Sequence, residues 1–146
     1  MMNLLITGGT GFIGSSICSC LLKDHHNLTV LTRRPEIISS PVKAITKIDQ
    51  LKVDMIFDVV LNLVGEPIAN KRWSNKQKQR ILTSRITITH LLIAFFKKVE
   101  NKPKLFINGS AIGYYGIGKA NNPIDENSAS DDSFSSQLCQ QWETVA

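Results

Sequence analysis

Short, continuous apolar runs alternate along this chain with longer stretches whose apolar residues recur every three or four positions. The first run, Leu4-Leu5-Ile6-Thr7, stops at Gly8-Gly9. Unbroken apolarity, rather than alternation, suits a parallel strand covered on both faces. Phe12 to Leu22 predicts a helix with Ile13, Ile17 and Leu21 on one stripe. Leu28 to Thr32 predicts a second strand, ended by Arg33-Arg34-Pro35, and a weak third lies between Val42 and Ile45. Phe57 to Val64 is the strongest strand pattern of all, stopped by Gly65. Ser74 opens a long helix reaching about Val99, with Ile81, Leu82, Ile86, Ile93 and Phe96 on a broad apolar face. Ser74 and Gln77 have capping-box spacing, so each side chain is expected to bond the other's backbone amide. Leu105 to Asn108 predicts another buried strand, Gly109 to Asn127 a loop, and Phe134 to Ala146 a last helix. Strands alternating with helices predict an open, doubly wound parallel α/β sheet of about five strands.

Composition narrows the class without changing that picture. With 146 residues the chain holds one domain, and 42% hydrophobic with 20% charged residues is ordinary globular composition. No apolar run reaches the length of about 18 residues that a membrane span needs. Met1 to Ile6 has no basic leader pattern, which reads against a signal peptide. Cys18, Cys20 and Cys139 show no zinc spacing and are expected as buried or free thiols in a reducing cytoplasm. His25 and His26 follow the first helix with no carboxylate–histidine pattern around them, so no metal site is expected. The net charge of +5 invites a nucleic-acid reading. The basic residues are scattered, however, and the densest stretch, Lys71 to Arg85, follows a helix surface. Nucleic acid is not expected as a partner, and a cationic surface equally draws in an anionic cofactor.

The candidate chemistry starts at Gly8-Gly9-Thr10-Gly11-Phe12-Ile13-Gly14, where glycines 8, 11 and 14 follow a strand and open a helix. Such a turn needs one glycine for tightness, one for close approach of a pyrophosphate and one for packing helix on strand. The helix then offers unpaired N–H groups and its positive dipole end to phosphates. This is the dinucleotide fingerprint of a Rossmann-type sheet. A phosphate-loop NTPase is excluded, because no Gly-Lys-Ser/Thr follows. An NAD site usually places Asp or Glu at the end of the second strand. Here Thr32-Arg33-Arg34 stands there. A carboxylate repels a 2′-phosphate and a guanidinium pairs with it, so NADP(H) is favoured over NAD(H). The alternative is that both arginines are solvated loop charges.

These residues, together with Leu31-Thr32-Arg33, Asn62-Leu63-Val64-Gly65-Glu66-Pro67-Ile68, Arg72-Trp73 and Ser110-Ala111-Ile112-Gly113-Tyr114-Tyr115-Gly116, occur in family order. The chain resembles an atypical group of extended short-chain dehydrogenase/reductases, the epimerase family proteins related to nucleoside-sugar epimerases. The resemblance covers essentially the whole chain. It implies an NADP(H)-binding domain followed by a smaller substrate region, in members roughly twice this length. Residues 1–146 are then a cofactor domain lacking the later strands and the C-terminal domain, either as a truncated product or completed by a separate polypeptide. The resemblance also places Leu63, Val64 and Gly65 beside the cofactor ribose, Glu66 and Arg72 next to the cofactor, and Asp49 near the adenine amino group. A plain surface role remains the alternative for Glu66, Arg72 and Asp49.

Ser110 follows the fifth strand and matches the serine of the family's Ser-Tyr-Lys chemistry. There a tyrosine is general acid/base, a lysine lowers its pKa, and the serine orients the substrate oxygen. The usual Tyr-x-x-x-Lys is absent from Phe134 to Glu143. Tyr114 and Tyr115 are the only tyrosines; they stand either as replacement acids or as pocket walls, with Lys119 the nearest lysine. Trp73 and Trp142 are expected to pack. The leading expectation is hydride transfer between NADP(H) and an unidentified carbinol or carbonyl substrate, with Ser110 aligning the oxygen. Two alternatives stand beside it. One is a protein that holds NADP(H) without turnover. The other is an inactive fragment with an exposed sheet edge. The extended relatives often pair through a four-helix interface, for which the helix from Ser74 to Val99 is the candidate.

Overall fold

In the computed structural model, which describes residues 1–116 and 123–146, the five strands pair in the order β3-β2-β1-β4-β5. Strand β1 (Asn3–Thr7) runs into the glycine turn, and helix α1 (Phe12–Lys23) carries the chain back to β2 (Asn27–Leu31). Strand β3 (Lys43–Ile45) adds one edge. The chain then crosses to the other side of β1 as β4 (Val59–Asn62), and helix α2 (Asn75–Phe96) leads to β5 (Leu105–Asn108). Helix α3 (Phe134–Val145) packs beside α2. Every pair is parallel. The strand order reverses between β1 and β4, which is where open α/β sheets bind ligands.

The expected apolar runs form the core. Leu5, Ile6, Val30 and Val60 are fully buried in the central strands. Each contributes about 1.5–3 kcal/mol relative to exposure. One face carries Leu5, Leu31, Val60, Leu92 and Phe96 under α2. The opposite face carries Leu4, Ile6, Val30 and Leu61 with Cys18 of α1.

Four local expectations are corrected. Helix α1 turns Gly14 and Cys18 inward, while Ile13, placed on the inner stripe by periodicity, is exposed. The helix approaches the sheet through its smallest residues, which rotates the stripe. Strand β4 is shorter than its apolar run, because after Asn62 the backbone leaves the ladder toward the glycine turn. Only half of the capping box forms. Ser74 Oγ accepts from the Gln77 N–H at 3.3 Å, but the Ser74 N–H donates to Arg72 O at 2.9 Å, and Gln77 is buried. Strand β5 is not buried on both faces. Leu105 and Ile107 are 50% and 43% exposed, since β5 is the sheet edge and α1 covers only the other end of that face.

A fully bonded polar cluster joins the sheet to the helices. Thr7 Oγ1 donates to Asn62 Oδ1 at 2.6 Å, and Asn62 Nδ2 donates to Thr89 Oγ1 at 2.8 Å and Asn108 Oδ1 at 2.7 Å. Trp142 Nε1 donates to the same Thr89 hydroxyl at 2.9 Å. Thr89 Oγ1 in turn donates to Arg85 O at 2.8 Å. Buried polar groups are tolerated only when paired, and here none is left without a partner among the described residues.

Candidate functional site

Strand register builds the site. Thr7 pairs with Leu31 on one side and Asn62 on the other, and Asn62 pairs with Asn108. The residues that follow, Gly8, Thr32, Leu63 and Gly109, therefore leave the sheet in one row at its carboxyl edge. All the sequence-predicted groups of the first, second, fourth and fifth strands converge there.

The glycine turn is shaped by contacts no side chain would allow. Gly8 has φ +70°, and a Cβ there would lie 2.6 Å from Leu63 O. A Cβ on Gly14 would lie 2.2 Å from Gly8 O, so α1 sits directly on the turn. Gly11 differs. A Cβ there meets only Gly8 O, at 3.2 Å, and otherwise faces open space. The fold asks little of a glycine at 11, so the free space above it suits a ligand pressed against the backbone. Gly11 caps α1 without a side chain bond. The Phe12 and Ile13 N–H groups find no acceptor among the described residues. These donors and the uncapped helix end fit a pyrophosphate.

Thr32, Arg33 and Arg34 line the next position. Thr32 is buried; its hydroxyl lies 3.5 Å from that of Thr10 and accepts from the Arg34 N–H at 3.0 Å. It ties the turn after β1 to the loop after β2. Arg33 is exposed and reaches across β1 to Glu66, with 3.8 Å between Nη2 and Oε2. The pair spans the carboxyl end of β1 from one flanking loop to the other. A pair at this distance with its arginine in solvent is weak and is easily exchanged for a better anion.

On the far side, Val64 N–H donates to Thr7 Oγ1 at 3.1 Å and Glu66 N–H to Ser84 Oγ at 2.8 Å. These bonds fix the Leu63-Val64-Gly65-Glu66 backbone above β4. Arg85 supports it from below. Its Nη1 donates to Glu66 O and to Ile81 O, both at 3.2 Å, and its guanidinium lies 5.2 Å from the Trp142 ring. Burial lowers the Arg85 pKa, which still leaves the group charged. Sequence reasoning missed Arg85, although it falls on the α2 stripe between buried Ile81 and Thr89.

Arg72 is exposed in the segment before α2, and Asp49 is exposed in a single 3-10 turn, Ile48–Gln50, after β3. Asp49 follows the third strand, so it stands at the same edge of the sheet, beyond Thr32. Trp73 packs, its ring 5.4 Å from that of Phe134 and its Nε1 donating to Ile68 O at 2.7 Å.

Ser110 lies two residues past β5, and its Oγ donates to Glu143 Oε1 on α3. Tyr114 and Tyr115 occupy a 3-10 turn, Ile112–Tyr115, with ring centroids 5.2 Å apart. Burial raises the Tyr115 pKa, and Glu126, Tyr114, Asp125 and Glu143 push it the same way. That is the opposite of what a phenolate base requires. Lys119 lies outside the described residues. Among the described residues no group of His, Cys, Asp and Glu could hold a metal ion, and no helix is long and apolar enough to cross a membrane.

Comparison with known proteins decides the family. The model of the NAD dependent epimerase/dehydratase family matches residues 4–137. The chain belongs to that family. An epimerase family protein of Staphylococcus saprophyticus is 34% identical over 100% of this chain and 50% of its own length. The crystal structure of a human epimerase family protein (isoform 2) with NADPH superposes with TM-score 0.83 at 30% identity, over 99% of this chain and 48% of that one. A nucleoside-diphosphate sugar epimerase of Corynebacterium glutamicum superposes with TM-score 0.77 at 25% identity, over 99% of this chain and 30% of that one. This epimerase-family chain thus spans about half the length of the curated relatives it matches.

Proposed function

We propose that the chain is the cofactor-binding half of an NADP(H)-dependent oxidoreductase or epimerase-like protein. The observation that carries this reading is the row at the carboxyl edge. The glycine turn, the Arg33 loop, the Leu63–Glu66 backbone and Ser110 leave four adjacent strands at one level. The pyrophosphate would rest on Gly11 and the Phe12 and Ile13 amides, with Gly8, Thr10 and Gly14 shaping the turn. Arg33, backed by Thr32 and Arg34, would leave Glu66 for a 2′-phosphate. Leu63, Val64 and Gly65 would face the ribose, with Glu66 and Arg72 beside the cofactor and Asp49 toward the adenine. NADPH bound to the human relative supports the choice of NADP(H). A nicotinamide bound there would supply or accept the hydride, Ser110 would orient the substrate oxygen, and Tyr114 and Tyr115 would wall the pocket.

The substrate class is a secondary alcohol or its carbonyl, and the Corynebacterium relative's name supports a nucleoside-diphosphate sugar. The free thiols Cys18, Cys20 and Cys139 support a reducing, cytoplasmic setting. The open β5 edge with exposed Leu105 and Ile107 supports association with a complementing C-terminal polypeptide, and pairing of two copies through α2 is the alternative. The test is transfer of deuterium from C4-deuterated NADPH to diacetyl or to an oxidised nucleoside-diphosphate sugar, read by mass spectrometry. Transfer supports the oxidoreductase reading. Binding of NADPH without transfer to either probe favours a protein that holds the cofactor without turnover.

A further inference from the structure

Helix α3 meets the Ser110 segment along a single stripe. Ser136 Oγ donates to Tyr114 O at 2.5 Å, and Cys139 Sγ lies 3.7 Å from Ala111 O. One turn further on, the Glu143 carboxylate accepts a hydrogen bond from the Ser110 hydroxyl. Positions 136, 139 and 143 share one helix face, so three contacts lock the helix against the loop. Trp142, next to Glu143, sets the depth of the helix. It is buried, its indole N–H is spent on Thr89, and its ring stands 2.8 Å from where a Cβ on Gly109 would be. The same tryptophan thus positions both the serine segment and the helix turn that carries the carboxylate.

Glu143 has no ion-pair partner among the described residues. Its side chain is exposed on the ligand edge of the sheet, and Ser110 is the partner it holds. The carboxylate already holds the serine hydroxyl, whereas burial raises the Tyr115 pKa and the helix carries no lysine.

We propose that Glu143 is the proton acceptor of this site, acting through Ser110 as a hydroxyl–carboxylate relay that does the work of the missing tyrosine and lysine. This rests on the functional reading above. In the oxidative direction the substrate carbinol gives its O–H proton to Ser110 Oγ while the Ser110 proton moves to the Glu143 carboxylate. The carbinol C–H bond breaks, its electron pair and hydrogen pass as hydride to an oxidised nicotinamide dinucleotide, and the C=O bond forms. Ser110 ends unchanged and Glu143 ends as a carboxylic acid, which returns its proton to water. The reductive direction reverses each transfer. Glu143 is a positioning and relay residue, and Ser110 is the group that touches substrate.

The test uses the full chain and its Glu143→Gln, Glu143→Asp and Ser110→Ala variants, each first shown to melt like wild type. NADPH binding by calorimetry is expected to change by less than twofold in all of them. The infrared difference between wild type and Glu143→Gln isolates the Glu143 carboxylate bands, and Ser110→Ala is expected to shift them. With NADPH and diacetyl as probe, Glu143→Gln is expected to lower kcat about 100-fold or more, as loss of acid–base catalysis does, with KM little changed. The shape of its pH–rate profile should change as well, and Glu143→Asp should recover part of the rate. The Ser110→Ala/Glu143→Gln double variant should be no slower than the slower single one. A folded Glu143→Gln variant that keeps the wild-type rate and pH profile overturns the relay, and so do carboxylate bands indifferent to Ser110. Wild type that binds NADPH but reduces no diacetyl overturns the relay and leaves the cofactor reading standing. Wild type that is folded and binds no NADPH overturns both.

Discussion

The indole N–H of Trp142 and the hydroxyl of Thr89 are 2.9 Å apart, and this bond ties the last helix to the polar cluster beneath the ligand edge. Thr89 receives a second donor from Asn62, so removing the indole donor leaves no orphaned acceptor. Trp142→Phe is therefore expected to cost about 1–2 kcal/mol, the bond plus some packing. Trp142→Ala should cost about 3–5 kcal/mol, because it also empties the space over Gly109. Urea unfolding of the two variants measures both.

The glycines of the turn are expected to separate into two kinds. Gly14→Ala drives a methyl into Gly8 O and should destabilise the fold by about 1–3 kcal/mol as well as weaken cofactor binding. Gly11→Ala meets a single atom at 3.2 Å and should melt within a few degrees of wild type while binding dinucleotide at least tenfold more weakly. Thermal melts paired with calorimetric titration distinguish the two. A Gly11→Ala variant that binds like wild type would remove the phosphate from this turn.

At the opposite edge of the sheet, Asp58 staples three strands. Its Oδ2 accepts from the Asn3 N–H at 2.9 Å and its Oδ1 from Lys104 Nζ at 3.1 Å. The Asn3 bond first, then Lys104, lowers its pKa below the ordinary 3.8. A depressed carboxylate stabilises the fold fully above its unfolded value, and that contribution fades as pH falls through the folded one. The stability gap between wild type and Asp58→Asn should be present at pH 7 and shrink steadily below pH about 3.8. Chemical denaturation across that range reads the gap directly.

Apolar exposure around β5 carries its own expectation. Register places Leu105 beside Val59 and Ile107 beside Leu61, which puts both side chains on the α1 face, where no described helix covers them. Leu105→Glu combined with Ile107→Lys should raise solubility and reduce self-association by light scattering, while changing the melting temperature by only a few degrees.

The order of elements and the glycine turn were legible in the sequence because both depend on local chain properties. Leu4, Leu5 and Ile6 form an apolar run, Leu28, Val30 and Leu31 form a second broken only by Thr29, and the two pair in register in the core. Arg33 was legible too, since its place follows from the end of one strand. What escaped were relationships between distant residues. Thr7, Asn62, Thr89 and Asn108 each look like polar residues at the end of a strand or on a helix surface; only the register of β1, β4 and β5 shows that they satisfy one another. Arg85 reads as a surface helix charge, yet the loop after β4 folds back over it. Glu143 stands 33 residues from Ser110, and no spacing rule joins a strand end to the far turn of a later helix. Exposure of β5 was hidden for another reason: an apolar run looks the same whether or not its outer face is covered.

The proposed NADP(H) site is the carboxyl edge of this sheet, with the glycine turn and Arg33 as its anchors. Its most direct test is calorimetric titration of the folded chain with NADPH and with NADH, before and after Arg33→Ala. NADPH is expected to bind more tightly, and Arg33→Ala to lose roughly tenfold or more on NADPH while sparing NADH, as removal of a phosphate-pairing guanidinium should. Equal affinity for both dinucleotides, unchanged by the substitution, or no binding of either by the folded chain, would contradict it.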